Sequence, residues 1–457
     1  MPTIPYLILG AGIAGLSSSY HCGHEGCVIL ERKPHAFGHV ASEQVDGFTW
    51  DEGPHVSFTG HPYVRELFES SVGGRLLDFP TAVGNWFHGH WIDHPAQSNL
   101  YQAPEEIRDA CVRSFLDSRA TGDQVSADPG NYAEWLDKAF GPEFVGFFPG
   151  PYTRKYWTVE PEQLGTEWVG GRVFRPDVQD ILNGAQGPLD RQTHYIKTVR
   201  YPEHGGYQSF IESLAKGATL HLNCEVVSID LVSRLVLTAD GREWHYESLI
   251  NTLPLPVFVS LCVQSTEEMK RAASELDCSR LLLVNVSAPH PTRRPEHWLY
   301  VYDEDMISTR INFTESLSPG NAPEGHTGIQ VEIYSSRYRP WPGDEDQIKA
   351  KVVEELVRMK LLDSAEVGKA FVRRTDWANV IFTTGTSGLL DLIWKGLEPF
   401  GLLRELEDLS PLTEWSGSEA PAFGPLIMAG RFGQWKYFWS DDCVLRGRQI
   451  GEVRKAR

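Results

Sequence analysis

An α/β fold built around a dinucleotide-binding half is predicted by three features at the start of the chain. A short apolar run, Tyr6 to Leu9, leads into Gly10-Ala11-Gly12-Ile13-Ala14-Gly15, and Leu16 to Tyr20 follows directly. That order reads as a strand, a tight glycine turn and a helix start. A second apolar run, Cys27 to Leu30, ends on Glu31. The carboxylate falls about 20 residues after the first glycine, at the spacing the dinucleotide fingerprint requires.

Each glycine has a separate reason. Gly10 permits the turn, Gly12 lets the backbone approach a pyrophosphate, and Gly15 lets the helix pack closely on the strand, leaving phosphates at the positive helix end. Glu31 stands where a carboxylate accepts hydrogen bonds from adenosine ribose hydroxyls, and its charge disfavours a 2′-phosphate. The expectation is a Rossmann-type domain that takes FAD or NAD rather than NADP.

The chain has 457 residues, more than one hydrophobic core usually serves, so two or three lobes are expected. Its 41% hydrophobic and 23% charged residues are those of an ordinary globular protein. The net charge of −19 argues against nucleic acid and anionic lipid as partners. An anionic ligand must then meet a local cluster of arginines. The seven cysteines are scattered, with no CxxC pair and no Cys/His metal spacing, which fits reduced thiols and no metal site. The chain runs into its first strand without a leader-like segment, and no window approaches the ~20 apolar residues that span a bilayer. These features predict a soluble cytoplasmic protein; they leave the oligomeric state open.

The organisation reads as interleaved rather than sequential. Helical patterns occupy Ala103 to Leu116 and Tyr132 to Phe140. Strand patterns follow at Leu220 to Val227, Arg234 to Ala239 and Ser248 to Leu253, with Asp240-Gly241 as a hairpin turn. Arg280 to Val286, Trp298 to Tyr302, Ser308 to Phe313 and Gly328 to Tyr334 read as a second, mixed or antiparallel sheet, and Gln347 to Met359 as an amphipathic helix. The expected division is a dinucleotide-binding domain over 1–75, 201–262 and 411–457, a mainly helical substrate lobe over 76–200 and a sheet lobe over 263–410.

The stretch Tyr152-Thr153-Arg154-Lys155-Tyr156-Trp157, with Glu167-Trp168 and Arg172 beyond it, sets aromatics beside arginines. Rings can stack on a base or sugar while guanidinium groups grip phosphate oxygens. An aromatic helix packed into the core would show the same composition. Gly47 to Phe58, which contains Asp51-Glu52-Gly53-Pro54-His55, and the late segment Gly430-Arg431-Phe432-Gly433-Gln434-Trp435-Lys436-Tyr437 are further distinctive.

These segments, together with Gly89-His90-Trp91, Gln97 to Leu100, Tyr201 to Gly206 and Trp298 to Arg310, resemble in order those of UDP-galactopyranose mutases, the eukaryotic branch most of all. That family sits within the superfamily of amine oxidases and protoporphyrinogen oxidases. The resemblance implies FAD as the cofactor, in reduced form for activity and with NAD(P)H as a reductant. It implies a reaction in which the flavin N5 displaces the diphosphate from a nucleotide sugar, and the sugar recloses with the other ring size. The substrate implied is a nucleotide-diphosphate sugar.

Position by position, it implies that Arg172 and Arg310 hold the diphosphate and that His55 lies beside the flavin. Tyr152, Trp157, Trp168, Trp435 and Tyr437 would contact substrate. Arg32, Gly38, Gly53, Val226, Gly430 and Arg431 would join the first three glycines and Glu31 around the cofactor. The sequence departs from the family at His39 and Pro54, where glycines are expected, and at Leu317 and Asn379, where tyrosines are expected. An alternative is an FAD-dependent oxidoreductase of the amine oxidase type, which needs an apolar pocket over the flavin. A purely structural flavin is a third reading.

Overall fold

The computed structural model describes residues 3–120, 129–170, 173, 175, 177–191, 193, 196–405, 412–414 and 425–456. Strand β1 (Ile4–Leu9) runs into helix α1 (Ile13–His21) and returns as β2 (Cys27–Leu30), parallel to β1. The other side of β1 is covered by the parallel strand Glu243–Asn251, so the glycine turn opens at the carboxyl end of a buried central strand. Leu7, Ile8 and Leu9 are wholly buried, as the continuous apolar run of a parallel core strand demands. Leu426–Met428 and Leu402–Glu405 extend this sheet beyond Glu243–Asn251, and Leu220–His221 extends it beyond β2. Chain segments separated by hundreds of residues thus meet in one sheet.

A second sheet, with seven strands among the described residues, runs in the order Ala370–Ile381, Asp277–Ala288, Thr327–Ser335, Arg310–Phe313, Trp298–Val301, Val83–Phe87, His90–Asp93. All neighbours are antiparallel except Trp298–Val301 with Val83–Phe87. The helices Glu105–Ala120, Tyr132–Phe140, Pro142–Phe147 and Pro149–Tyr156 pack on one another as a helical lobe whose core is continuous with that of the first sheet. Asn131 caps Tyr132–Phe140 by accepting from the Glu134 N–H, the usual way to satisfy a free helix-start donor.

The fold class matches the sequence reading, with local differences. The run Leu220 to Val227 is two strands rather than one, because Asn223 adopts φ 52° and turns the chain. Val226–Asp230 then pairs antiparallel with Leu235–Thr238. Gly241 at φ 83° makes the expected turn into Glu243–Asn251. The stretch 76–200 is less purely helical than expected, since Val83–Phe87 and His90–Asp93 are recruited as the edge of the second sheet. Ala370–Ile381, interrupted at its centre by Arg373-Arg374-Thr375-Asp376, is not among the strands the sequence pattern marks, yet it pairs along nearly its whole length with Asp277–Ala288.

Candidate functional site

A cavity of about 780 Å³ lies where the two sheets and the helical lobe converge. One part of its wall is backbone. Gly10 adopts φ 97°, a left-handed conformation that favours glycine. A Cβ on Gly15 would lie 2.0 Å from the Gly10 carbonyl oxygen, so no side chain fits where α1 packs on the turn. Gly38 abuts Gly12, and a Cβ there would stand 3.0 Å from the Gly12 Cα. Gly12 is the N-cap of α1, no side chain caps the helix, and its first turn carries no acidic residue. Uncapped N–H groups at a helix start facing a cavity suit a phosphate.

Glu31, at the end of β2, accepts from the Ala11 N–H at 2.8 Å and from the Lys33 N–H at 2.8 Å. The backbone therefore fixes its carboxylate at the cavity wall, where a second lone pair on each oxygen can meet ribose hydroxyls. Arg32, Gly38, Gly53, Val226, Gly430 and Arg431 also line the cavity. Gly15 does not line it; its place is the strand–helix contact. Arg431 donates through Nε to the Phe438 carbonyl (2.7 Å) and through Nη1 to Asn379 Oδ1 (3.0 Å), and its guanidinium lies 5.4 Å from the Tyr437 ring centre. Asn379, in place of an expected tyrosine, thus holds the late segment Gly430 to Tyr437, the closing segment of the cavity, to the second sheet. Leu317, the other departure, is buried and lines the cavity.

His55 lies between these regions. Its Nδ1 is 2.8 Å from the Gly53 carbonyl, which can only accept, so Nδ1 carries the proton and Nε2 keeps a lone pair. Burial pushes the imidazole down to about 4, with Arg431 and Arg310 adding to the effect and the Gly53 bond opposing it. The ring is therefore neutral near pH 7. Tyr207 packs 5.4 Å from it, and the Tyr207 N–H donates to the buried Asp51. Asp51 also accepts from the hydroxyls of Tyr201 and Ser42, both at 2.6 Å. Burial outweighs these bonds and raises its carboxyl to about 6.

The rest of the wall is built from side chains. Tyr300, Arg310 and Glu332 are register partners on three adjacent strands and form one row. Arg310 is held in bidentate fashion by Glu332, Nε to Oε2 at 2.6 Å and Nη2 to Oε1 at 2.7 Å, and Tyr334 donates to the same carboxylate at 3.1 Å. Burial works against the Arg310 charge, and Glu332 more than offsets it. Nη1 has no acceptor among the described residues.

Tyr152 and Tyr156, one turn apart on helix Pro149–Tyr156, stack at 5.6 Å and face Tyr300 and Tyr334 at 5.3 and 4.9 Å. The Tyr156 and Tyr437 hydroxyls are 3.4 Å apart. Burial pushes the Tyr152, Tyr156 and Tyr334 phenols well above their usual range, so they remain O–H donors. Trp157 and Trp168 meet with ring centres 4.7 Å apart and planes tilted by 53°, and both line the same space.

Two expected contacts fall elsewhere. Trp435 does not line the cavity: it is 1% exposed and packs against Phe432 and Trp377 behind the wall. Arg172 lies outside the described residues. Arg154, from the same aromatic–basic stretch, turns outward to Glu304 in a bidentate pair. Lys155 turns inward, where Nζ donates to the carbonyls of Val301 and Asp303, each at 2.8 Å. Glu332, Tyr156, Tyr300, Tyr302 and Tyr334 line the cavity without having been singled out. For Glu332 and Tyr334 the signal is a period of two, which puts both on one face of strand Thr327–Ser335, and for Tyr156 it is the four-residue spacing from Tyr152 on helix Pro149–Tyr156.

Comparison with known proteins is consistent with the backbone cradle. Residues 13–391 match the family of flavin containing amine oxidoreductases. Protoporphyrinogen oxidase 1 of Arabidopsis thaliana is 20% identical over 375 residues, covering 71% of this chain and 68% of that protein. The 15-cis-phytoene desaturase of the same plant is 22% identical over 398 residues, 72% of this chain and 69% of that one. Among solved structures, a reduced UDP-galactopyranose mutase superposes with a TM-score of 0.87 at 22% identity, covering 100% of this chain and 96% of that one. A putrescine oxidase bound to putrescine superposes at 0.62 with 13% identity, covering 100% of both chains. Among the described residues no helix is long and apolar enough to cross a membrane, and no cluster of His, Cys, Asp or Glu could hold a metal ion. The chain belongs to the flavin containing amine oxidoreductases, and the glycine cradle with Glu31 fits the FAD that family carries.

Proposed function

We propose that the protein is an FAD-dependent mutase that interconverts the pyranose and furanose forms of a nucleotide-diphosphate sugar, with a sugar that need not be galactose. The observation that carries the proposal is the chemistry of the wall beyond His55. Tyr152, Tyr156, Tyr300, Tyr302, Tyr334 and Tyr437 all line it, with the Arg310–Glu332 pair among them. Phenol donors, a carboxylate acceptor and a guanidinium suit a ligand with many hydroxyls better than a hydrocarbon chain. The close superposition on a reduced UDP-galactopyranose mutase supports the same reading.

In this reading Gly10, Gly12, Glu31, Arg32, Gly38, Gly53, Val226, Gly430 and Arg431 hold FAD. When bound and reduced, by NAD(P)H or another donor, FAD supplies the nucleophilic nitrogen, so no side chain need attack the anomeric carbon. His55 offers Nε2 as a neutral acceptor and keeps its proton on Nδ1 through Gly53. Arg310, through Nη1, and Arg172 stabilise the departing diphosphate. Glu332 orients Arg310 and accepts from a sugar hydroxyl. Trp157 and Trp168 offer ring faces for stacking, and the phenols position the open sugar.

An oxidoreductase of the amine oxidase type is the second reading. It is favoured by the carboxylate that already occupies Arg310, and by Phe140, Phe144 and Phe148 in the same cavity. Incubating dithionite-reduced enzyme anaerobically, and oxidised enzyme in air, with a panel of nucleotide sugars, resolving ring forms by NMR and following oxygen with an electrode, separates the two. Ring exchange by the reduced enzyme alone is expected. Turnover that instead requires oxygen and consumes it stoichiometrically would replace this reading by the second.

A further inference from the structure

Two polar side chains of the cavity wall take no part in either reaction set out above. Trp298 and Asn312 are register partners on neighbouring strands of the second sheet, so they stand side by side on one face. Both line the cavity, and they are only 7% and 2% exposed. Asn312 Oδ1 meets no donor, and the Trp298 indole N–H meets no acceptor. The indole is directed at the Tyr300 hydroxyl without reaching hydrogen-bonding geometry. Among the described residues, several buried side-chain polar atoms lack a partner, but only these two belong to residues that line the cavity.

Their neighbour differs. Gln330, the register partner of Asn312 on its other side, donates through Nε2 to the Asp51 carbonyl at 3.0 Å and to Asn285 Oδ1 at 2.9 Å. The first of these bonds also places the row. Asp51 precedes the loop that carries Gly53 and His55, and Trp298 packs with Val56 and Phe58 further along it. Trp298 and Asn312 therefore stand where the glycine-cradle end of the cavity passes into the Arg310 end.

A buried polar atom is costly unless it is hydrogen-bonded. Asn312 supplies one acceptor, Oδ1, and one donor, Nδ2; the Trp298 N–H is a second donor. The complement of two donors and one acceptor is a planar group with two acceptors and one donor. A cyclic imide, a ring N–H between two carbonyls, is such a group. FAD carries one as the pyrimidine edge of its flavin, and a uridine nucleotide carries one in its base.

We propose that Asn312 and Trp298 form an imide-recognition edge, in which Asn312 Oδ1 accepts from the imide N–H while Asn312 Nδ2 and Trp298 Nε1 donate to the flanking carbonyls. With the flavin as its source, the imide serves either reaction. With uracil as its source, the inference rests on the nucleotide-sugar reading.

Deflavinated protein titrated with FAD, and separately with FAD methylated on the imide nitrogen, tests the first source by quenching of flavin fluorescence. Wild type should prefer FAD about tenfold, the size of one hydrogen bond to a buried acceptor. Asn312→Ala should lose that preference. Trp298→Phe, which keeps a ring and deletes the donor, should retain it while binding FAD severalfold more weakly. For uracil, the FAD-loaded protein is titrated calorimetrically with UDP and with CDP, because cytosine has no imide. A preference for UDP that Asn312→Ala abolishes, with the preference for FAD over its methylated form intact, assigns the edge to the nucleotide. Absence of both preferences in wild type, or their retention in Asn312→Ala, would overturn the proposal.

Discussion

The two ends of the cavity are made of different material. Around Gly10, Gly12 and Gly38 the wall is main chain, and its specificity comes from the absence of side chains: a Cβ on Gly15 or Gly38 has no room. Around Arg310 and Glu332 the wall is side chain on side chain, phenols and an ion pair carried mainly by the second sheet and helix Pro149–Tyr156, with Tyr437 added from the segment after Gly430. The first end is dictated by covalent geometry and tolerates one kind of ligand. The second can be rewritten residue by residue on an unchanged scaffold. Full-length superposition on both a mutase and a putrescine oxidase is what such a division allows, because function resides in the grafted site rather than in the fold.

If the division is right, substitutions at the two ends have effects of different kind and size. Gly15→Ala should be the most damaging. A methyl forced to within 2.0 Å of the Gly10 carbonyl must push α1 off β1, at a cost of about 3 kcal/mol. A lower melting temperature and near-total loss of bound flavin would show it; normal flavin content would break the backbone half of the comparison. Arg431→Ala removes two charge-assisted bonds that tie the closing segment to Phe438 and Asn379, worth about 1.5–3 kcal/mol each. FAD affinity should drop at least tenfold and the melting temperature should fall with it, measurable by equilibrium dialysis and circular dichroism.

At the side-chain end, Glu332→Gln should leave flavin content intact and change ligand preference. It converts a neutralised Arg310 into a free cation, so a nucleoside diphosphate should bind about tenfold more tightly, as calorimetry can measure. Unchanged affinity would mean that Arg310 does not face the diphosphate. The smallest expected effect concerns pH and the loop that joins the two ends. The folded value of His55, about 4, lies below its unfolded value of 6.5, so acidification from 6.5 to 4 protonates the unfolded chain first and destabilises the fold. Asp51 titrates in the folded state at about 6, above its unfolded 3.8, so acidification over nearly the same window stabilises. The two oppose. Relative to wild type, Asp51→Asn should lose stability more steeply on acidification from pH 6.5 to 4 and His55→Asn less steeply, in melting curves at saturating FAD.

This same contrast governs how much could be read from the chain. Gly10, Gly12, Gly15 and Glu31 were legible because one local rule fixes their spacing, and the strands and hairpin that rebuild the first sheet carried turn residues and alternation. The ring end was legible only in fragments. Arg310 was found, but not its partner, because the pairing of Arg310–Phe313 with Thr327–Ser335 is a register and not a motif. Trp435 belonged to a recognisable segment, yet at φ 55° its side chain turns behind the wall, which no spacing reveals. Arg154 and Lys155 are adjacent and equally basic; one faces solvent and the other two buried carbonyls, and helix phase decides between them.

The central claim, that the phenol-lined end receives a polyhydroxylated nucleotide ligand beside FAD, is tested most directly by calorimetric titration of the FAD-loaded protein with a nucleotide-diphosphate sugar and, separately, with a linear diamine. The account predicts saturable binding of the nucleotide sugar, weakened about tenfold in Tyr156→Phe and Tyr437→Phe through the loss of one hydroxyl contact each, and no binding of the diamine. Binding of the diamine with none of the nucleotide sugar would contradict it.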